Sequence, residues 1–317
     1  MQKKIISLII PCFNEEQNVA QAHSHITTFW KTLKYDFDYE LVFVDDGSRD
    51  STVLEIEKLA KKDSQVKLVQ FSRNFGKEIA TTAGIQNCNG DACIMYDADL
   101  QYPIEKLPDF LDKWENGADV VVGIRDKKKT NNFVEKFGSM MFYKCANLIA
   151  EVEIKAGALD FRLMDRVVIE EFSKFTERGR MTRALIDWLG FKRDYIYYTE
   201  NERFAGEASY SFDKRVKLAF STFLSTSLFP LKFAGYLGIW ISIITGPLGI
   251  IFAINKYMLG DMMNWNTTGA TQVGILTAFL IGINLMCMGL ISLYIANIHT
   301  EVANRPLYVV KNKINLG

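Results

Sequence analysis

The stretch "ACIMYDADLQ", residues 92–101, joins a short apolar run to a pair of carboxylates. The apolar run is typical of a buried β-strand, and Asp97 and Asp99 follow where that strand would end. On an extended segment alternate residues lie on one side, so Asp97, Asp99 and Gln101 can point at one ion. Two carboxylates this close repel each other unless a cation or a ligand offsets their charge. The stretch therefore predicts a divalent-cation site at the tip of a buried strand.

Similar apolar runs recur through residue 125 and alternate with helical patterns. The predicted strands are "ISLII", "YELVFVDD", "VKLVQFS", "ACIMYDA" and "DVVVGIR". Strands that alternate with helices predict an α/β fold with a mostly parallel sheet, and continuous apolar strands indicate that both faces are covered. In such sheets, ligands bind beyond the carboxyl ends of the strands.

Polar side chains follow each of the five predicted strands, so one rim of the sheet should collect them. These residues are Asn14, Glu15, Asp45, Asp46, Arg73, Lys77, Asp97, Asp99, Gln101 and Arg125. A D-x-D pair alone occurs by chance in many loops, and its place on this rim is what gives it weight. The pair, with its carboxylate oxygens, suits Mg²⁺ or Mn²⁺, which complete their shell with substrate phosphates and water.

The chain has no glycine-rich phosphate loop of the Walker or G-x-G-x-x-G type. Phosphate would instead be neutralised by the metal and by cationic side chains. The candidates are Lys77, Arg125, Arg178 and Arg203.

Composition excludes several other classes of protein. The formal net charge is zero, which does not favour nucleic acid as a partner. The five cysteines form no C-x-x-C pair, which argues against a disulfide framework and against a zinc site. The opening "MQKKIISLIIPCFNEE" has lysines before an apolar run, as a signal peptide does, but the run is short and breaks at Pro11. We interpret it as a first strand.

Two apolar stretches without a charged residue, 233–254 and 273–297, are each long enough to cross a bilayer as a helix. The alternative left open is a buried core helix. Residues 211–232 combine basic and apolar side chains, which predicts a helix at the bilayer surface or an ordinary amphipathic helix against the domain. Basic residues flank the two stretches on their outer sides, so the positive-inside rule places both termini and the catalytic domain in the cytoplasm.

Motifs spread over nearly the whole chain resemble one family. In order they are "SLIIPCFNEEQNV", "LVFVDDGSRDST", "FSRNFGKEIATTAGI", "DADLQYPIEKLP", "GIRDKK", "FRLMDRVVI", "ERFAGEASY" and "RPLYVV". They are similar to the family 2 glycosyltransferases that load sugar onto polyprenyl phosphate, the dolichyl-phosphate mannose synthase and bactoprenol glucosyltransferase group. The resemblance implies a GT-A fold (nucleotide-diphospho-sugar transferase) followed by two C-terminal transmembrane helices.

The resemblance also implies roles for individual residues. The nucleotide would be bound by Pro11, Asn14, Glu15, Asp46, Lys77 and Asp97. The metal would be held by Asp97, Asp99 and Gln101, with Asp99 and Arg125 as catalytic residues. The acceptor phosphate would lie near Ser139, Arg203, Lys136 and Ser209.

The chain departs from the family pattern in two places. Tyr102 and Pro103 stand where the family often has D-P after D-A-D-L-Q. "GEASY" has no lysine where the family often shows G-x-S-K, so Lys136 or Lys214 would supply the charge near Ser209.

The implied domains are a GT-A glycosyltransferase domain over 1–210, an amphipathic interfacial helix over 211–232, a transmembrane hairpin over 233–298 and a cytoplasmic tail over 299–317. The implied reaction is metal-dependent transfer of a hexose with inversion, with UDP-glucose as the expected donor and undecaprenyl phosphate as the acceptor. The implied location is the inner membrane. Oligomeric state, a homo-oligomer included, is left open.

Two alternatives remain at this point. One is a transferase of the same fold that acts on a glycan or on diacylglycerol. The other, from a different class, is a catalytically silent membrane scaffold. An intact D-A-D-x-Q rim argues against the scaffold, because a protein without catalysis would not need it.

Overall fold

The computed structural model describes residues 3–126, 157–178, 180–201 and 269–316, together with single positions between 236 and 258. The predicted acceptor residues Lys136, Ser139, Arg203 and Ser209 lie outside them, as does the predicted interfacial helix over 211–232.

An eight-stranded sheet forms the centre of the fold, in the order β7-β5-β6-β4-β1-β2-β3-β8. Its strands are β1 Ile5–Cys12, β2 Asp38–Asp45, β3 Val66–Phe71, β4 Ala92–Met95, β5 Val120–Arg125, β6 Ala158–Asp165, β7 Arg193–Tyr198 and β8 Val310–Ile314. All five strands predicted from the apolar runs are present.

The sheet is mostly parallel, as predicted, but two strands run against it. β1 pairs in parallel with β2 and β4, β2 with β3, and β5 with β7. β6 lies antiparallel between β4 and β5, and β8 lies antiparallel along the edge of β3. The chain segments that form these two strands are distant in sequence from their neighbours, so local patterns did not predict the pairing.

Helices cover both faces of the sheet. They are α1 Val19–Trp30, α2 Thr52–Lys62, α3 Lys77–Asn87, α4 Leu107–Glu115, α5 Arg166–Ser173 and α6 Thr182–Trp188, with a 3₁₀ turn at Ile104–Lys106. A further helix, α7 Gly269–Val302, does not belong to this set and lies in the second compact unit of the chain. Neighbouring residues of β1 enter different cores: Leu8 packs in one and Ile9 in the other, both fully buried. Because each face needs apolar side chains, the strands read as continuous apolar runs.

The chain divides into two compact units, Met1–Tyr210 with Arg305–Gly317, and Ser211–Asn304. The tail after the second unit therefore belongs to the first, where it supplies β8. Within the described residues, no helix combines the length and the apolar character needed to cross a membrane. The predicted transmembrane hairpin stays a prediction.

Candidate active site

The carboxyl ends of the parallel strands place the predicted rim at one edge of the sheet. In the register, Cys12 at the end of β1 lies beside Asp45 at the end of β2, and Ile9 lies beside Met95 at the end of β4. The loops that follow these strands therefore start side by side. Their polar residues therefore collect at the edge of the sheet where ligands bind in folds of this kind.

The loop after β4 carries Asp97 and Asp99, and it turns instead of continuing extended. Leu100 has a φ of 60°, a left-handed conformation, and its N–H donates to the Asp97 carbonyl at 3.4 Å. The extended geometry expected for residues 97–101 was therefore wrong. The Gln101 N–H donates to Asp99 Oδ1 at 3.2 Å, and the Asn201 N–H donates to the Gln101 carbonyl at 3.0 Å. The first bond closes the loop after β4 on itself, and the second holds it against the segment after β7.

Three aromatic residues, Tyr96, Tyr102 and Phe161, pack at the base of this loop. The Tyr96 hydroxyl donates to the Tyr102 carbonyl at 2.9 Å. The Tyr102 ring stacks on Phe161 with centroids 4.6 Å apart and an angle of 4° between the rings. Tyr102 is only 5% exposed, so the tyrosine that departs from the family pattern is a packing residue that fixes where the carboxylate loop leaves the core.

Lys77, the first residue of α3, contacts the carboxylate of Asp97. Its Nζ lies 2.7 Å from Oδ1 and 2.8 Å from Oδ2. Partial burial lowers the pKa of Lys77, but the charges of Asp97 and Asp160 outweigh it and hold the pKa above its usual value. A lysine and the first carboxylate of D-x-D, predicted from separate loops, are thus brought together.

Asp160 is a site residue that sequence reasoning missed. The antiparallel register of β4 and β6 pairs Ala92 with Asp165 and Ile94 with Leu163. Because β6 runs antiparallel to β4, its first residues, Asp160 among them, lie towards the carboxyl end of β4, and the charge of Asp160 helps to raise the pKa of Lys77. The sequence alone could not place Asp160 at the site, because this requires the antiparallel pairing of β6 with β4, which brings the first residues of β6 to the rim.

Asp46 anchors the loop that carries Lys77. Its two carboxylate oxygens accept hydrogen bonds from the Phe75 N–H at 2.6 Å and the Gly76 N–H at 2.9 Å. Asp46 is 3% exposed, and burial raises its pKa while the two N–H donors partly oppose that rise. In this structure the carboxylate positions the start of α3, and the predicted contact with nucleotide stays a prediction.

The predicted nucleotide residues of the first loop tie it to the second. Asn14, with a φ of 57°, accepts a hydrogen bond from the Arg49 N–H at 2.9 Å and donates its own N–H to Ser48 Oγ at 2.9 Å. Glu15 accepts from Asn18 Nδ2 at 2.5 Å. Pro11 lies inside β1, beside Val44. These contacts organise the loops that would face a nucleotide.

Arg125, predicted to face phosphate, is paired with a carboxylate. Its Nη1 lies 3.0 Å from both oxygens of Glu200, just beyond the end of β7. Arg178, another phosphate candidate, donates to the carbonyl of Arg305 in the tail. Neither contact was predicted, since both join segments far apart in the chain.

The residues at the tip of β4 suit a divalent cation. Within the described ranges, no three or more His, Cys, Asp or Glu side chains are arranged to hold a metal ion. Two carboxylates suffice for Mg²⁺ when phosphate oxygens and water complete the shell. Asp97 already accepts a cationic group, the ammonium of Lys77, so this position attracts positive charge.

Comparison with known proteins agrees with this arrangement. The family model "Glycosyl transferase family 2" matches residues 7–173, more than half of the chain. The chain is 35% identical over 306 residues to the SfII prophage-derived bactoprenol glucosyl transferase of Shigella flexneri, covering 96% of this chain and 97% of that relative. It is 36% identical over 316 residues to the putative glycosyltransferase CsbB of Bacillus subtilis, covering 98% and 92%.

The sheet with its charged rim, together with these matches, defines an enzyme of the glycosyltransferase class. The chain belongs to glycosyl transferase family 2. The resemblance inferred from the motifs is confirmed, including its nearly full-length likeness to bactoprenol glucosyl transferases.

Proposed function

We propose that the enzyme transfers glucose from UDP-glucose to a membrane polyprenyl phosphate, undecaprenyl phosphate, with Mg²⁺ or Mn²⁺ as cofactor. The observation that carries the proposal is the cluster at the tip of β4, where Asp97 meets Lys77 beside Asp160. Support for the acceptor comes from the bactoprenol glucosyl transferases, which this chain matches almost end to end.

The diphosphate of the donor brings negative charge to an acidic rim, so charge compensation is the main task of the site. Asp97 and Asp99 would hold the divalent cation, with Gln101 beside them, and a bound cation supplies Lewis-acid stabilisation of the departing diphosphate. Lys77 would contact the diphosphate, since its ammonium already lies at this point. Pro11, Asn14, Glu15 and Asp46 would border the nucleotide.

A polyprenyl phosphate is an ionised oxygen nucleophile near neutral pH, so it needs no strong base to attack the anomeric carbon. Attack from the face opposite the leaving group gives inversion. The residues proposed to offset the acceptor's charge are Arg125, released from Glu200, with Lys136, Ser139, Arg203 and Ser209. The proposed reaction thus needs little base catalysis but much positive charge. Arg and Lys side chains supply that charge directly, and Asp side chains would supply it by holding a cation.

The acceptor is itself a membrane lipid, which gives the two apolar stretches a purpose. We place them across the inner membrane, with the segment 211–232 at its surface and the catalytic domain and both termini in the cytoplasm. The chain path supports two crossings: β8 follows the second unit and pairs with β3 of the first. A chain that leaves the first unit and returns to its sheet is compatible with the two proposed crossings, which bring it back to the side it left.

The reaction is tested by incubating purified protein with radiolabelled UDP-glucose, undecaprenyl phosphate and Mn²⁺ or Mg²⁺. We expect label in the organic phase, lost when the polyprenyl phosphate is omitted or EDTA is added. Labelled GDP-mannose and UDP-N-acetylglucosamine, supplied in parallel, report the donor. Label in a water-soluble glycan, or in diacylglycerol, would instead favour the other acceptors.

Asp99→Asn tests the metal assignment. We expect turnover to fall by more than the roughly 10- to 100-fold that follows loss of a metal's outer-shell partner, because a proposed direct ligand is removed. Asp109→Asn is the matched control, since Asp109 pairs with Lys106 on the surface of α4. Near wild-type turnover of Asp99→Asn, in a protein with unchanged thermal stability, would contradict the assignment.

A further inference from the structure

Lys77 occupies a position that helix electrostatics disfavour. It is the first residue of α3, where the helix dipole is positive and a cation is destabilising. The pairing with Asp97 offsets this cost, because the carboxylate lies at 2.7 Å. A lysine held here against the dipole indicates that its charge is used at the rim.

The ammonium of Lys77 covers the same oxygens that a metal would bind. Both carboxylate oxygens of Asp97 lie within 2.8 Å of Nζ. An ammonium and a divalent cation on one carboxylate repel each other strongly. Either the lysine or the metal can therefore use Asp97 fully, but not both.

The side chain of Lys77 can move while its backbone stays fixed. Asp46 anchors the two preceding residues through the N–H groups of Phe75 and Gly76. The lysine side chain is 49% exposed, and its four-carbon stem is flexible. Loss of the contact with Asp97 would thus free the ammonium, on a half-exposed side chain, without disturbing α3.

We propose that Lys77 and the divalent cation exchange on Asp97. Without metal, Lys77 neutralises Asp97 and so limits repulsion among Asp97, Asp99 and Asp160. With the cation present, Asp97 would hold the metal, and the ammonium of Lys77, released from the carboxylate, would contact the diphosphate of the donor. This inference rests on the proposed function and adds to it a second use of the same lysine, which couples metal binding to donor binding.

Chemical labelling of amines tests the exchange directly. The wild-type protein is treated briefly with an amine-acetylating reagent, and modification of each lysine is measured by mass spectrometry. We expect Mn²⁺ alone to raise the modification of Lys77 several-fold and Mn²⁺ with UDP to lower it again. Lys174, which pairs with Glu171 on the surface of α5, is the control and should not respond. Unchanged or reduced labelling of Lys77 with Mn²⁺ alone would overturn the inference.

Metal affinity gives a second test, read from the electron paramagnetic resonance signal of free Mn²⁺. Lys77→Met should bind Mn²⁺ about tenfold more tightly than wild type, a change of the size usual when one bound group affects another. The same variant should bind UDP more weakly in the presence of Mn²⁺. Lys77→Arg, which keeps a cation, should bind Mn²⁺ close to wild type. Lys174→Met controls for the loss of one charge and should leave the affinity unchanged.

The two proposals fail in different ways. If wild type binds Mn²⁺ and transfers sugar, but Lys77→Met binds Mn²⁺ no more tightly, the exchange is wrong and the proposed function stands. If wild type binds no divalent cation, both the metal assignment and the exchange are wrong. Thermal unfolding of each variant shows whether an altered affinity reflects a misfolded protein.

Discussion

At the scale of single residues, Gly47 shows how tightly the loops of the rim are packed. It follows Asp46 and has a φ of +72°, a left-handed conformation that L side chains rarely adopt. A Cβ added to it would lie 2.7 Å from the Asn74 backbone nitrogen and 2.9 Å from the Arg73 Cα. Since these neighbours are backbone atoms, no side-chain rotation can relieve the contact. Only glycine fits where the loop after β2 meets the loop that carries Lys77.

Gly47→Ala should therefore destabilise the protein more than a left-handed backbone alone, which costs about 1–2 kcal/mol. Gly117→Ala is the matched control: its φ is +85°, but the nearest atom to an added Cβ is Lys192 Nζ at 3.8 Å. We expect the melting temperature to fall further for Gly47→Ala, with weaker binding of UDP in the presence of Mn²⁺. Equal losses of stability would show that the backbone contact is unimportant.

At the scale of elements, the edge strand β8 completes the sheet from the far end of the chain. Tyr308, which precedes it, stacks on Phe71 with centroids 4.9 Å apart, and its hydroxyl donates to Gln86 Oε1 at 3.1 Å. Asn315 Nδ2 donates to the carbonyl of Val66 at 2.9 Å. An exposed edge of β3 would offer unpaired backbone groups, and β8 covers them. The tail is thus a structural part of the catalytic unit.

Tyr308→Ala removes the stacking on Phe71 and should lower the free energy of unfolding by about 2–3 kcal/mol, somewhat less than a fully buried aromatic. Tyr308→Phe keeps the ring and should cost about 1 kcal/mol for the hydroxyl. Lys311→Ala, at an exposed position of β8, is the control and should change little. Chemical denaturation measures all three, and a Tyr308→Ala protein as stable as wild type would mean that the tail does not support the sheet.

At the scale of the whole molecule, the second unit is inserted between β7 and β8 of the first. Both of its ends are therefore connected to the catalytic unit. In the proposed topology, two chain segments would then hold the catalytic unit to the membrane. Because the tail forms β8 and pairs with β3, its position relative to the sheet is fixed.

The proposed topology predicts that a reporter active only outside the cytoplasm works when fused in the loop between the two apolar stretches. The same reporter fused after residue 317 should be inactive, because the tail returns to the sheet, which the proposal places in the cytoplasm. Activity in intact cells, with protein amounts measured by immunoblotting, checks this expectation. Equal activity at both sites, or a protein removed from membranes by a salt wash, would contradict the proposed spans.

The sequence by itself determined the rhythm of strands and helices, the two covered faces and the rim that holds Asp97, Asp99 and Lys77. These follow from local patterns, because the face that a residue occupies depends on its immediate neighbours. Only the tertiary structure decided that β6 enters antiparallel beside β4, which brings Asp160, near the start of β6, towards the carboxyl end of β4. It likewise decided that the tail returns as β8. Both depend on pairing between segments far apart in the chain, and that pairing is set by packing and register, which no local pattern records.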